Sequence, residues 1–452
     1  MGNKNLTVAF YTLGCKVNQY ESEALRERMV ERGFTCVSED KPAFVSVINT
    51  CAVTNLSDRK SRQLIRRAKK NNPEGIVAVI GCYSQIDPKR VSSMKEVDIM
   101  LGSGDKSKLP DIISDFIADK VISAIVGTST DLIENNRFDL DFDVERFDDL
   151  GPVTGFEARS RALIKIQDGC DRNCTYCIIP QARGRIRSRT ATETVREAER
   201  LISAGYRELV ITGVNLALYG ADFIDGKPDL LELLNRINNL PGSFRLRLGS
   251  LEPTVVDTEF VRRLIQFDKL CPSLHLSVQS GSDRILKKMG RNYSRDEYLE
   301  LIKILRLKDP AFGVSTDFIV GFPGESEDDF LRSLSLVDES QFHNVHVFKF
   351  SGRPGTAAAA MQGQIPSRIK TERSKRMIIA GEAAAKGFLS GNIGLVRTVI
   401  PEKWDRSTGY LEGYSEHGLR VSWPDSDSEI GRFVKVLIKD SNQSGLLGRK
   451  LD

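Results

Sequence analysis

RALIKIQDGCDRNCTYC, residues Arg161–Cys177, is an apolar strand pattern that runs into three cysteines. Cys170, Cys174 and Cys177 form a CxxxCxxC run and can close on one inorganic cluster. They cannot fill a cubane cluster, which has four irons and expects four cysteine ligands. One iron keeps an open position, where a small molecule can bind and receive an electron. A structural zinc site would pair this CxxC with a second one or with histidines further on. No second CxxC exists, and the chain holds only four histidines. Disulfide scaffolds are short and cysteine-dense, unlike 452 residues with eight cysteines.

Working outward, strand patterns recur at 208–214 (ELVITGV), 245–251 (RLRLGSL), 274–281 (LHLSVQSG), 314–321 (VSTDFIVG) and 345–351 (VHVFKFS). Helical patterns such as TETVREAERLISAGY and EDDFLRSLSLVDES lie between them. Six βα units predict an incomplete parallel barrel, a partial (βα)6 barrel, with Cys170 at the carboxyl rim where barrel sites are built.

The N-terminal region also reads as α/β. LTVAFYTLGC, FVSVINTC and IVAVIGC are strands ending at Cys15, Cys51 and Cys82, at separations of 36 and 31 residues. That is about one βαβ unit each. Right-handed crossovers make the strands parallel, as in a doubly wound sheet, and bring the three thiols to one carboxyl edge, where such sheets bind ligands. This geometry predicts a second three-cysteine cluster. Cys36 and Cys271 have no such placement and read as inert thiols.

Asp131, Glu134, Asp139, Asp141, Asp143, Glu145, Asp148 and Asp149 form an acidic stretch closed by Gly151 and Pro152, read as a solvated linker. Beyond the helical pattern ERSKRMIIAGEAAAKGFLS, five short glycine-punctuated strand patterns fill 394–451. They predict a small antiparallel β-barrel of the OB type. The expected domains are therefore 1–126, a linker at 127–155, 156–387 and 388–452.

Net charge is only +4, so a nucleic-acid surface must be local. Arg59, Lys60, Arg62, Arg66, Arg67, Lys69 and Lys70 follow Cys51 on a predicted helix, against the single acid Asp58. Arg59, Arg62, Arg66 and Lys70 share one face and would attract phosphates. Arg183, Arg185, Arg187 and Arg189 alternate after the third cysteine of the run, where arginine forks suit phosphate or carboxylate. The C-terminal barrel region has nine basic and nine acidic residues from Phe388 onward and is not basic overall. No apolar run approaches a membrane span, the N-terminus lacks a secretory signal, and free thiols fit a reducing cytoplasm.

GCDRNCTYC, with the aromatic Tyr176 inside the run, resembles the signature of the radical S-adenosylmethionine (SAM) superfamily. The whole chain resembles that superfamily's methylthiotransferases, through TLGCKVNQYES (12–22), NTCAVT (49–54), GCYSQ (81–85), ARGRIRSR (182–189), LHLSVQSGSDRILKKMGR (274–291), TDFIVGFPGE (316–325) and HVFKFSGRPGTAAA (346–359). CKVNQYE around Cys15 resembles the subgroup acting on N6-threonylcarbamoyladenosine beside the tRNA anticodon. The other subgroups act on isopentenyladenosine or a ribosomal-protein aspartate.

The resemblance implies a three-cysteine cluster domain, a radical SAM barrel and a TRAM domain, in that order. It implies two [4Fe–4S] clusters, one on Cys15, Cys51 and Cys82 and one on Cys170, Cys174 and Cys177. SAM would contact Tyr176, Gly213, Asn215, Ser277, Gln279, Gly321 and Gly324. tRNA would be gripped by Arg59, Arg62, Arg66, Lys70, Arg185, Arg187 and Arg189. No catalytic acid/base pair is expected, because the adenine C2 hydrogen is not acidic. The implied partners are a tRNA anticodon loop, a reducing protein such as a flavodoxin or ferredoxin, and a sulfur donor. The enzyme is expected to be a cytoplasmic monomer.

Overall fold

The computed structural model describes residues 6–104, 106–126, 137–139, 147–151, 153–155, 160–225 and 227–451. Asp131, Glu134, Asp141, Asp143, Glu145 and Pro152 of the acidic stretch lie outside the described residues. The chain divides into two compact units: residues 1–153, 168–172 and 177–189, and residues 154–167, 173–176 and 190–452.

The first unit is built on a parallel sheet. Its strands are β1 (Thr7–Thr12), β2 (Thr35–Cys36), β3 (Val45–Thr50), β4 (Ile76–Gly81), β5 (Ile99–Leu101) and β6 (Arg137–Asp139), ordered β2-β1-β3-β4-β5-β6. The central strands VSVINT and IVAVIG are buried at every position, as expected for parallel strands covered on both faces. The helix α1 (Lys16–Glu31) follows β1 and α2 (Asn55–Asn71) follows β3. Thr54 caps α2 by accepting the Ser57 N–H at 3.2 Å. Only Ser61, Ile65 and Ala68 of α2 are buried. This narrow stripe leaves most of its basic residues outward.

The second unit holds the six predicted parallel strands, Arg161–Lys165, Glu208–Thr212, Arg245–Leu248, Ser273–Leu276, Gly313–Val320 and Asn344–Lys349. The third is interrupted at Gly249 and continues as Ser250–Leu251. The interruption divides the array into a three-stranded and a four-stranded sheet. Among the described residues no pairing joins the first strand to the last, so the barrel is open.

The five C-terminal strands close into a barrel around Trp423, Val421, Val436 and Leu411. Its pairings are antiparallel except where Arg420–Pro424 meets Gly445–Lys450. This barrel lies in the same compact unit as the six strands. Arg245 donates to the carbonyls of Thr398 and Tyr414, both at 2.8 Å, and Arg247 to the carbonyl of Ser415 at 3.0 Å. Glu208 binds both arginines, at 2.6 and 2.7 Å.

Candidate cluster-binding and cofactor-binding sites

Register explains how the N-terminal thiols meet. Thr50 pairs with Gly81, so Cys51 and Cys82, the next residues, leave neighbouring strands together. Such strands lie about 4.8 Å apart. Thr12 pairs with Asn49, which brings Gly14 beside Cys51. A Cβ on Gly14 would lie 2.9 Å from Cys51 Cβ and 3.2 Å from its Sγ, and Gly14 has φ +102°. Only glycine allows this approach without strain. Cys15 then forms the N-cap of α1, where the helix dipole favours a thiolate.

Cys51 and Cys82 are buried and Cys15 is exposed as a residue. Burial pushes the Cys51 thiol up to about 11, and the neighbouring Cys82 and Cys15 add to the shift. Surrounding protein raises the Cys15 thiol too, against the opposing pull of Arg183. A bound cation would therefore have to displace protons here. Three soft donors converge at one sheet edge beside a cation, and this set fits an iron–sulfur cluster with one iron open.

The CxxxCxxC loop is shaped by its glycines. A Cβ on Gly169, with φ +70°, would sit 1.7 Å from the Arg185 carbonyl oxygen. Cys170 N–H donates to the Gly184 carbonyl at 3.0 Å. Further on, Thr175 N–H donates to Met289, and the Ala358 N–H donates back to the Thr175 carbonyl at 2.7 Å. Cys170, Cys174 and Cys177 are all partly exposed, which suits ligands that must meet a cofactor.

Within the second unit a polar belt runs along the carboxyl ends of the first strands. Gln167 accepts the Asn215 N–H at 2.8 Å, and the Asn215 amide donates to Glu252 at 2.6 Å. Arg291 donates to Glu252 at 2.5 Å and to the Tyr176 hydroxyl at 2.7 Å. The Tyr176 ring packs against Ile285, Met289, Phe322 and Phe350. Tyr176 and Asn215 are thus linked through Arg291 and Glu252 in one belt, and Gly213 lies against Gln167 of the same belt. Only their position after a strand and inside KKMGR could have signalled Glu252 and Arg291.

The remaining predicted residues divide. Gln279 is buried with φ +68°, an uncommon conformation for a non-glycine residue and one that clusters at functional sites. Ser277 donates to Asp317 at 3.0 Å. Asp317 also meets His275 and His346, each at 3.1 Å. Among the described residues these three offer metal-ligating atoms within 4.8 Å of one another. All four ring nitrogens already have partners, since Ser315 and Asn344 engage the other two. The group is a satisfied network that holds the Asp317 carboxylate below its usual range.

At Gly321 and Gly324 the turn is lined by lysine side chains. A Cβ there would meet Lys370 at 2.5 Å and Lys288 at 2.7 Å respectively. Arg187 and Arg189 are a correction, being only 5% and 3% exposed. They face Asp168 and Asp149 rather than open solvent. Arg185, Arg59, Arg66 and Lys70 are exposed, while half-buried Arg62 donates to the Tyr83 hydroxyl at 2.8 Å.

Comparison with known proteins adds the following. Residues 164–337 match the Radical SAM superfamily, and residues 7–102 match Uncharacterized protein family UPF0004. The chain is 38% identical to the threonylcarbamoyladenosine tRNA methylthiotransferase MtaB of Bacillus subtilis (strain 168), over 96% of this chain and 93% of that protein. It is 36% identical to the protein of that name from Thermotoga maritima, over 99% and 97%. It is 33% identical to a tRNA-2-methylthio-N(6)-dimethylallyladenosine synthase of Moorella thermoacetica, over 99% and 98%. The radical S-adenosylmethionine methyltransferase TsrM from Kitasatospora setae, solved with cobalamin and a [4Fe–4S] cluster, is similar in fold. It has a TM-score of 0.53 at 14% identity, over 82% of this chain and 85% of that one.

Proposed function

The chain belongs to the threonylcarbamoyladenosine tRNA methylthiotransferases of the radical SAM superfamily, and from that premise we propose that it adds a methylthio group to C2 of N6-threonylcarbamoyladenosine beside a tRNA anticodon. The observation that carries this reading is the pair of three-cysteine sets, one at the edge of the N-terminal sheet and one after the first barrel strand. When bound, two [4Fe–4S] clusters and SAM supply the electron, the hydrogen-atom abstraction, and the sulfur and methyl that C2 receives.

The chain's own residues hold and shield that chemistry. Cys15, Cys51 and Cys82 would hold one cluster, and Cys170, Cys174 and Cys177 the other, each leaving one iron open. Tyr176 presents its ring beside the cysteine run, with its hydroxyl fixed by Arg291. Gly213 and Asn215 on the belt, with Ser277 and the strained Gln279, would line the SAM pocket. A weakly acidic C–H gives a general base nothing to do, so no side chain is assigned as acid or base. The exposed Arg59, Arg66 and Lys70, with Arg62 and Arg185, would draw the anticodon loop electrostatically, and an extruded adenine would reach the site.

The same reading assigns 1–126 to the cluster domain, 127–155 to a linker, 156–387 to the radical SAM domain and 388–452 to a TRAM domain. It calls for a reducing protein such as a flavodoxin or ferredoxin and for a sulfur donor, with the enzyme acting as a cytoplasmic monomer. No helix among the described residues is long and apolar enough to cross a membrane. The test is anaerobic turnover of reconstituted enzyme with SAM and threonylcarbamoylated tRNA, read by nucleoside mass spectrometry. The methylthiolated nucleoside is expected. Its absence while 5′-deoxyadenosine still forms rejects the assignment, and product only on isopentenylated tRNA reassigns the substrate.

A further inference from the structure

Arg183 closes the helix Ile179–Arg183, six residues beyond Cys177, and is 2% exposed. Its Nη1 donates to both Asp168 oxygens, at 2.9 and 3.0 Å, and to Glu21 Oε1 at 3.0 Å. Its Nη2 donates to Asn18 Oδ1 at 2.6 Å and to Glu21 Oε2 at 3.4 Å. Asp168 lies two residues before Cys170. Asn18 and Glu21 lie on α1, whose N-cap is Cys15.

Asn18 carries the connection further. Its amide donates to the carbonyls of Leu13 at 2.7 Å and Thr50 at 3.0 Å, the latter directly before Cys51. The Cys15 thiol reaches Asn18 Oδ1 at 3.6 Å. One guanidinium is therefore joined, directly or through Asn18, to the chain beside Cys15, Cys51, Cys170 and Cys177. An ammonium could supply the charge but not the fork, which aims several donors in one plane.

The charge is placed as deliberately as the fork. Glu21 also accepts Lys106 at 2.5 Å, and Arg187 stands 4.0 Å from Asp168. These five side chains carry three positive and two negative charges in a buried region. Burial alone would favour a neutral guanidine, but Asp168 and Glu21 outweigh it, and Cys82 and Cys15 act in the same sense. A guanidinium held this close to Cys15 and Cys82 would offset the negative charge of a thiolate-ligated cluster there.

We propose that Arg183 is a positioning residue that locks the N-terminal cysteine set to the CxxxCxxC loop and offsets the negative charge of the N-terminal cluster. It touches no reacting atom, and its role rests on the reading that both sets hold clusters.

The test uses the full chain, reconstituted anaerobically, as Arg183→Lys and Arg183→Gln. Potentials are measured with Cys170, Cys174 and Cys177 replaced by alanine, so that only the N-terminal cluster reports. Arg183→Gln is expected to lower that cluster's midpoint potential, and Arg183→Lys to restore most of it. Both variants lose the fork. Both should therefore form about tenfold more 5′-deoxyadenosine per modified tRNA than the parent, a ratio that lowered folding yield alone would not move. An unchanged potential and ratio in Arg183→Gln overturns the proposal. If both Arg183 variants fail to hold iron, Glu21→Gln takes their place, because it removes one anchor and keeps the guanidinium. A raised ratio there supports the proposal and an unchanged ratio overturns it. Failure of the functional reading is distinguishable: the parent would then yield no methylthiolated nucleoside on any tRNA, while the potentials would still compare.

Discussion

Thr50 on β3 and Gly81 on β4 are register partners, and this one pairing delivers Cys51 and Cys82 side by side at the edge of the N-terminal sheet. Cys51→Ser should therefore empty one site and spare the other. Iron is expected to fall from about eight to about four per chain. SAM cleavage should persist while methylthiolated nucleoside disappears. Cys174→Ala should show the same iron loss with SAM cleavage abolished. Iron assay with 5′-deoxyadenosine quantitation separates the two, and equal effects on cleavage would show that the sites are not independent.

Gly14→Ala puts a methyl group where Cys51 already sits, at a φ of +102°. The strain is about 1–3 kcal/mol. Urea unfolding should show a loss of that size, with iron uptake lowered at the N-terminal set alone. Gly33, with φ +85° and open space around it, is the control. Gly33→Ala should lose about 1 kcal/mol and bind iron normally.

The outward face of α2 is expected to contribute to tRNA affinity through charge only. Arg66→Ala with Lys70→Ala should reduce the salt dependence of binding by about two units, near one per charge removed. Filter binding between low and moderate salt reads this directly, and an unchanged slope removes α2 from the interface.

Glu208 gives a pH prediction. Burial would raise its carboxyl, but Arg247 and Arg245 outweigh that and bring it from 4.5 down to about 2. A group depressed on folding stabilises above its unfolded value and loses that contribution as pH falls through its folded value. The parent should therefore lose about 3 kcal/mol between pH 4.5 and 2. Glu208→Gln should be less stable by about 3–5 kcal/mol at neutral pH, because two buried guanidinium groups lose their counter-ion. It should also lack this acid-side slope. Urea titrations across that range check both.

Much of this was legible in the chain because it is local. Apolar runs such as IVAVIG end at a cysteine within the same stretch, so strand, edge and thiol are read together. The six barrel strands and the five C-terminal strands are periodic within short windows in the same way. The arginines after Cys177 were not legible. Their alternation reads as one face of an extended segment, yet Arg183 finds Asn18 across 165 residues and Asp168 across 15, and is buried by them. The surroundings of Gly321 and Gly324 were hidden for the same reason. A turn glycine announces that something comes close, and only the fold tells that Lys370 and Lys288 are what comes. Glu252 and Arg291 are single letters whose meaning depends on meeting each other.

Arg245 and Arg247 hold the C-terminal barrel by the carbonyls of Thr398, Tyr414 and Ser415. A main-chain oxygen is present whatever side chain the position bears. These carbonyl contacts are therefore blind to the barrel's lettering, unlike the Glu402 and His417 side chains that meet Arg161 and Asp309 at the same joint. Away from Glu402 and His417, the outer surface of that module can be rewritten residue by residue with this part of its mooring intact.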